Sequence, residues 1–326
     1  MQPGKVSQTV YRRSILKQLN TDGQVALFLP SQAECCYGVS CAEGEKVLSA
    51  SVSLYGNEKT LCVFAMAQAA NALGSRGAVP KGVNIQILLP EFAYESRLKA
   101  MMQAAAFAAG RYGLELLSAE AQNVPGIQTT IVNVTAVGTV SHLIRSCDAK
   151  ADQEIVQIGF AGLEGTLRIL EARREVLEKH FAPVFLNKIM SYTKDIFSLQ
   201  EMKAADAIGV SAMHQIADGG ILAALWNLAE GADIGLDIDM RRIAVKQETI
   251  EVCEYFHLNP YQLTGTGSIL AVTPRGEELA DALTREGMAA VVIGHTTAGR
   301  ERIIHNHGEK RYLDRPAPDE LAKILV

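Results

Sequence analysis

Stretches whose apolar residues recur with a helical period alternate, from one end of the chain to the other, with stretches that read as extended. A bundle needs helical periodicity throughout and a sandwich needs strands throughout, so the alternation predicts an α/β architecture, mixed with α+β. In the first half, residues 47–54 read as a strand, 60–73 as a helix, and 83–89 as an apolar strand halted by Pro90. Residues 95–112, rich in Ala, Met and Leu, read as a helix that Gly113 would end in a left-handed cap. Strands over 114–117 and 129–137 close this half.

From residue 140 the pattern turns polar and aperiodic through Ser146, Asp148, Lys150 and Asp152, which places a domain boundary near residue 150. The expected domains are 1–150 and 151–326, and a chain of 326 residues that is 48% apolar has material for two cores. In the second, a strand over 154–160 leads into a charged helix over 166–180 and a shorter helical stretch from Pro183. A helix opening at Asp218-Gly219-Gly220, a strand over 234–238 and a helix over 247–256 follow. Segments 268–273, 277–286 and 289–294 form a β-α-β unit, and 303–313 reads as a closing hairpin that turns at His307-Gly308.

A net charge of -5, with no run of like charge, offers no footprint for nucleic acid or anionic lipid, so neither is an expected partner. No stretch approaches the roughly 18–20 apolar residues that span a bilayer, and Met1-Gln2-Pro3-Gly4-Lys5 lacks the apolar core of a secretory signal. The expected location is cytoplasmic. Six cysteines without a CxxC pair or a His at zinc-finger spacing read as reduced thiols, mostly buried; Cys35, Cys36 and Cys41 are the cluster a soft metal or redox role would use.

Three glycine-punctuated loops lie where backbone N–H groups could converge on an anion. Asp218-Gly219-Gly220 would let a phosphate or carboxylate approach a helix amino terminus; the alternative is Asp218 as an N-cap with the glycines packed on a strand. Thr264-Gly265-Thr266-Gly267-Ser268 offers flexible backbone and three hydroxyls, or a plain turn. Gly162-Leu163-Glu164-Gly165-Thr166 has a strand-loop-helix setting with Thr166 as a possible cap, but lacks the Lys of a Walker loop. His214, just before the glycine pair, is placed to donate to a bound anion or move a proton; a structural imidazole on a backbone carbonyl is the alternative.

Taken in order, these segments resemble the aminoimidazole ribonucleotide (AIR) synthetase superfamily, and within it the AIR-synthase-related, hydrogenase-maturation-factor-like branch. The carrying residues are Pro3-Gly4-Lys5, Ala69-Ala70-Asn71-Ala72-Leu73 through Gly77-Ala78-Val79-Pro80, Leu88-Leu89-Pro90 and Val124-Pro125-Gly126. Later come Gly162 through Thr166, Ala212-Met213-His214 through Gly220, Gly267-Ser268, Ile293-Gly294, and Arg315-Pro316 through Asp319-Glu320-Leu321. The resemblance implies an N-terminal domain that pairs with its twin into a β-barrel, ATP with magnesium in a cleft near that interface, and a C-terminal domain covering it with glycine loops. A phosphorylated small molecule or nucleotide is the implied ligand, and a maturation partner protein an implied associate. His214 would be the catalytic group, Asn71, Gly219, Gly220, Thr264, Gly267 and Ser268 the ligand-binding ones, and Glu34 and Glu120 the metal ligands.

The chain departs from that family where carboxylates should bridge magnesium to the phosphates. The family's Gly-Glu-Asp-Ala-Ala segment reads Ala33-Glu34-Cys35-Cys36, Ser-Thr-Asp reads Ala50-Ser51-Val52, Asn-Asp reads Asn71-Ala72, and Gly-Gly-Asp/His-Thr reads Ser118-Ala119-Glu120-Ala121. A hard cation beside polyphosphate depends on one or two well-placed carboxylates, so ordinary ATP turnover is not expected. The chain ends Lys323-Ile324-Leu325-Val326, without the terminal Cys on which a thiocarboxamide-dehydrating maturation factor carries its substrate. Two readings follow: a phosphoryl-transfer enzyme with a degraded metal site, or a dimeric binding protein that has kept the fold and lost the chemistry.

Overall fold

A computed structural model describes residues 4–5, 7–19, 39 and 41–325. The chain divides into unit 1, Met1–Leu73 with Ala78–His142, and unit 2, Gly74–Gly77 with Leu143–Val326. Both are mixed α/β, as the alternation predicts.

Unit 1 carries β1 (Gly4–Lys5), α1 (Gln8–Val10), a π-helical turn at Tyr11–Ile15, β2 (Lys46–Gly56), α2 (Leu61–Gly74), β3 (Val79–Pro90), α3 (Glu95–Tyr112), β4 (Glu115–Val124) and β5 (Thr130–Val140). Its sheet runs β1-β4-β3-β5-β2, with β3 and β4 parallel and the other pairs antiparallel. Period-two burial gives the sheet two unlike faces. Val83, Ile85, Ile87, Val132, Val134 and Ala119 are buried, together with most of α2 and the Leu98, Met101 and Met102 stripe of α3. α3 ends as expected, Gly113 standing at φ 67° with its N–H on Ala109 O.

Unit 2 is built on a seven-stranded sheet, β12-β11-β8-β10-β6-β9-β7. In chain order it has β6 (Glu154–Ile158), α4 (Leu163–Ala172), α5 (Arg174–His180), α6 (Pro183–Ser191), α7 (Leu199–Ile208), β7 (Ala212–Ile216), α8 (Gly220–Ala232) and β8 (Gly235–Asp239). Then come α9 (Gln247–Phe256), β9 (Ser268–Thr273), α10 (Gly276–Arg285), β10 (Ala290–Thr297), β11 (Arg302–Asn306), β12 (Glu309–Tyr312) and α11 (Ala322–Leu325). Both sheet faces are covered. Ile221, Leu225 and Leu228 of α8 pack with Ile155, Leu236, Ile238 and Leu270 on one side. Met202 of α7 and Leu279 and Leu283 of α10 pack with Val156, Ile158, Met213 and Ile269 on the other. Each such Leu or Ile stabilises by about 2 kcal/mol through burial.

The β-α-β unit is present with one strand inserted: β9 and β10 both run antiparallel to β6, which lies between them. The closing hairpin pairs Asn306 with Glu309, and His307 and Gly308, both at positive φ, form its two-residue turn. The expected single helix over 166–180 is two helices, because the charged run around Arg173 offers no apolar stripe and Arg173 turns out of helical geometry to donate to Ile324 O. α7 and β7 lie where the sequence pattern indicates no element; β7 forms in the glycine-punctuated stretch because its apolar Ala212, Met213 and Ile216 are buried on both sheet faces. Among the described residues no helix is long and apolar enough to cross a membrane. Cys62 and Cys253 are buried thiols pushed up to about 12 by desolvation, Cys41 and Cys147 are exposed, and Cys35 and Cys36 lie outside the described residues.

Candidate functional site

The glycine pair lies between β7 and α8. Gly219 has φ 75° and Gly220 φ 67°, left-handed geometry that disfavours any Cβ. Packing demands the same: a Cβ on Gly220 would lie 2.5 Å from Tyr261 O. The N-cap position belongs to Gly219, so Asp218 does not cap the helix. A carboxylate does reach the helix terminus, but it comes from a hundred residues away: Gly219 N–H donates to Asp319 Oδ2 at 2.7 Å, and Leu321 N–H to Asp319 Oδ1 at 2.8 Å. The backbone N–H of Thr264 also favours the charged form of this carboxylate. Burial pushes Asp319 up to about 6 against the downward pull of these N–H groups, and nearby Asp218 adds to the rise.

Asp319 thus ties Gly219 to the segment around Leu321. The hydroxyls of the 264–268 loop turn inward instead. Thr264 Oγ1 donates to Glu164 Oε2 at 3.3 Å, and Ser268 Oγ to Gly265 O at 2.8 Å. Gly267, at φ 106°, is needed because a Cβ there would lie 2.4 Å from Asp195 O. Glu164 faces Arg168 at 3.4 Å, an ion pair whose side chains are 0% and 4% exposed. Thr166 is inside α4 rather than capping it; Gly162 is the N-cap, and Thr166 Oγ1 donates back to Gly162 O.

His214 sits on β7 with Nδ1 3.2 Å from Ser146 Oγ, and Arg76 Nη1 donates to the adjoining Met213 O at 3.1 Å. Burial, then the charge of Arg76, lower its pKa to about 4, so the imidazole is neutral near pH 7. A neutral ring exchanges a proton with a hydroxyl; it does not supply a cation to a phosphate. Ser146 is a partner that sequence reasoning missed, because the contact spans 68 residues.

In unit 1 the less buried sheet face presents three rows of four side chains: Ser118, Asn84, Thr135, Ser51; Glu120, Gln86, Asn133, Ser53; and Gln122, Leu88, Ile131, Tyr55. Hydroxyl and amide groups bond along the rows, Ser51 with Thr135 at 2.8 Å, Ser53 to Asn133 at 2.7 Å, and Asn84 with Ser118. Glu120 is the one carboxylate in these rows, and its charge helps raise the pKa of Tyr11 after burial has done so. Asn71 is buried within α2 at 1% exposure. Glu34 lies outside the described residues. Among the described residues no three His, Cys, Asp or Glu side chains gather into a group that could hold a metal ion. A divalent site of the hard-cation kind does not fit what these residues offer.

Comparison with known proteins agrees with this architecture. Residues 169–306 match the family described as AIR synthase related protein, C-terminal domain. Carbamoyl dehydratase HypE of Rhizobium leguminosarum bv. viciae is 24% identical over 281 residues, 82% of this chain and 77% of that protein. The crystal structure of Escherichia coli HypE, a hydrogenase maturation protein, superposes with a TM-score of 0.80 at 18% identity, covering 98% of this chain and all of the other. A HypE solved in complex with ATP gives a TM-score of 0.74 at 14% identity, covering 96% and 95%. At these identities the solved structures establish the fold. Residues 169–306 thus match an AIR synthase-related C-terminal domain, and the chain as a whole is similar to hydrogenase maturation proteins of the HypE kind.

Proposed function

We propose that this protein binds ATP or another phosphorylated small molecule as part of hydrogenase maturation, as a homodimer, with metal-dependent turnover weakened or lost. The observation that carries the reading is the composition of the three unit 1 rows: hydroxyls and amides with two aliphatic side chains, Leu88 and Ile131, and a single carboxylate, Glu120. A polyphosphate there would find hydrogen-bond donors but not the paired acids that hold magnesium against it. The relatives supply the ligand class, since a HypE has been solved with ATP. The expected dimer would cover this sheet face, the one that the helices of unit 1 leave open. If the protein is catalytic, the candidates within unit 2 are His214 with Ser146 for moving a proton, and the backbone of Gly219, Gly220, Thr264, Gly267 and Ser268 for bordering a ligand. A protein partner from the same maturation process would then supply the acceptor group.

Titration calorimetry with ATP in EDTA and then with magnesium tests the reading. Binding of similar strength in both supports a metal-poor nucleotide cleft; no binding in either removes the nucleotide. Light scattering that shows a monomer at micromolar concentration would remove the dimer, and unchanged ATP affinity after Asn133→Ala with Ser53→Ala would move the ligand away from these rows.

A further inference from the structure

In unit 2 an open groove of about 650 Å³ runs between the end of α5 and one face of α9. Its walls are rings and acids. Phe185 stacks on Phe181 with centroids 4.4 Å apart, Phe181 meets His180 edge-on at 4.7 Å, and His180 lies 4.4 Å from Tyr255. Glu251 and Glu254 face the same space from α9. Aromatic faces, carboxylates and the carbonyl end of a helix all carry negative potential, so the three together favour a cation at this point. The last turn of α9 holds no basic residue. Among the described residues no Lys or Arg pairs with Glu251 or Glu254 or lies over these rings; Glu251 takes the Gln247 amide at 3.1 Å.

Elsewhere in unit 2 the same two kinds of group do have their cation. Trp226 and Glu230 lie four residues apart on α8, and the Arg302 guanidinium sits 3.9 Å from the Trp226 ring centroid while donating to Glu230 Oε2 at 2.5 Å. Glu251 and Tyr255 are likewise four apart on α9, which puts them on one helix face. The pairing that holds a guanidinium on α8 therefore stands without one on α9. Arginine suits it better than lysine, because a planar guanidinium stacks on a ring and keeps its edge donors for carboxylates. Apolar exposure extends past the groove: Val184, next to Phe185, is 80% exposed, and Ile250, one turn from Glu254, 40%. A lone small cation would leave both in water, whereas a chain segment carrying arginine beside apolar residues covers them.

We propose that this groove docks an arginine-bearing segment of a partner protein, with the guanidinium stacked on Tyr255 and bonded to Glu251 and Glu254, and the segment's apolar residues on Phe181, Val184 and Ile250. The docking is noncovalent. It goes beyond the phosphorylated-ligand reading and needs neither nucleotide nor metal, so a failure of ATP to bind leaves it standing.

The test uses the full chain and a six-residue peptide of two arginines and four leucines, followed by NMR. Amide shifts should concentrate in residues 178–185 and 247–257. Glu251→Gln with Glu254→Gln should weaken the peptide at least about tenfold, since both carboxylates lose their charge. Tyr255→Ala should weaken it about fivefold and Tyr255→Phe should leave it unchanged, because the ring face rather than the hydroxyl meets the cation. The same peptide with citrulline in place of arginine, which keeps the shape and removes the charge, should not bind. Equal binding by the citrulline peptide, an unaltered affinity in the double Gln variant, shifts centred on other residues, or no binding at all would overturn the proposal. Arginine amide binding as tightly as the peptide would put a small cation in the groove and overturn the protein partner.

Discussion

Across the middle of the unit 1 sheet, three rows of four side chains hold one carboxylate, Glu120, while in unit 2 the carboxylates beside the glycine loops, Glu164 and Asp319, are enclosed and bonded to protein donors. The first region is poor in negative oxygens, and the second has committed two of its own, Glu164 and Asp319, internally while Asp218 stays exposed. Either condition removes a divalent ion's ligands, by different routes. A lost acid can be restored by one substitution. A committed acid cannot be freed without breaking its contact to a buried partner, here Arg168 or the Gly219 N–H.

The contrast can be broken most forcefully at the buried ion pair. Glu164→Gln leaves the Arg168 guanidinium in a site 4% exposed, and unit 2 should lose about 3 kcal/mol in urea denaturation. A loss below about 1 kcal/mol would mean that this charge is not committed to structure. Gly220→Ala should cost about 2 kcal/mol by the same measurement, from positive φ and the 2.5 Å approach to Tyr261 O. In unit 1 the change runs the other way. Ala72→Asp restores an acid that the resemblance places near the phosphates, and magnesium should then strengthen ATP binding by about tenfold, roughly 1.4 kcal/mol. An unaltered magnesium dependence would show that lost acids are not what sets it.

The smallest effect is a titration. NMR should place the His214 midpoint at about 4, and Arg76→Gln should raise it by removing the nearby positive charge. Because the folded pKa lies below the unfolded value near 6.5, this histidine's contribution to stability is complete above that pH. It is lost as pH falls from 6.5 through about 4, since the unfolded chain takes up the proton first. A midpoint near 6.5 would show that the ring is not enclosed.

Much of the fold was legible because local periodicity and punctuation agree with it. The helix at Glu95–Tyr112 ends at Gly113 as its left-handed cap requires, and α9 and β9 occupy the residues their patterns indicate. The break at Arg173 was hidden, since a charged helical pattern continues through it and only a tertiary bond to Ile324 O diverts the chain. β7 was hidden because a short strand buried on both faces has no alternation to read. At the site, the glycine pair and the scarcity of acids were visible as residue identities. The Asp319 contact was not, because nothing near Gly219 signals a donor-acceptor pair separated by 100 residues. Ser146 against His214 was invisible for the same reason.

The most direct measurement is calorimetric titration of the full chain with ATP, first in EDTA and then in magnesium, with phosphate release followed in parallel. Binding constants within about threefold of each other, without phosphate release above background, are the expected result. Affinity that magnesium strengthens by tenfold or more, accompanied by steady ATP hydrolysis, would contradict a cleft short of carboxylates.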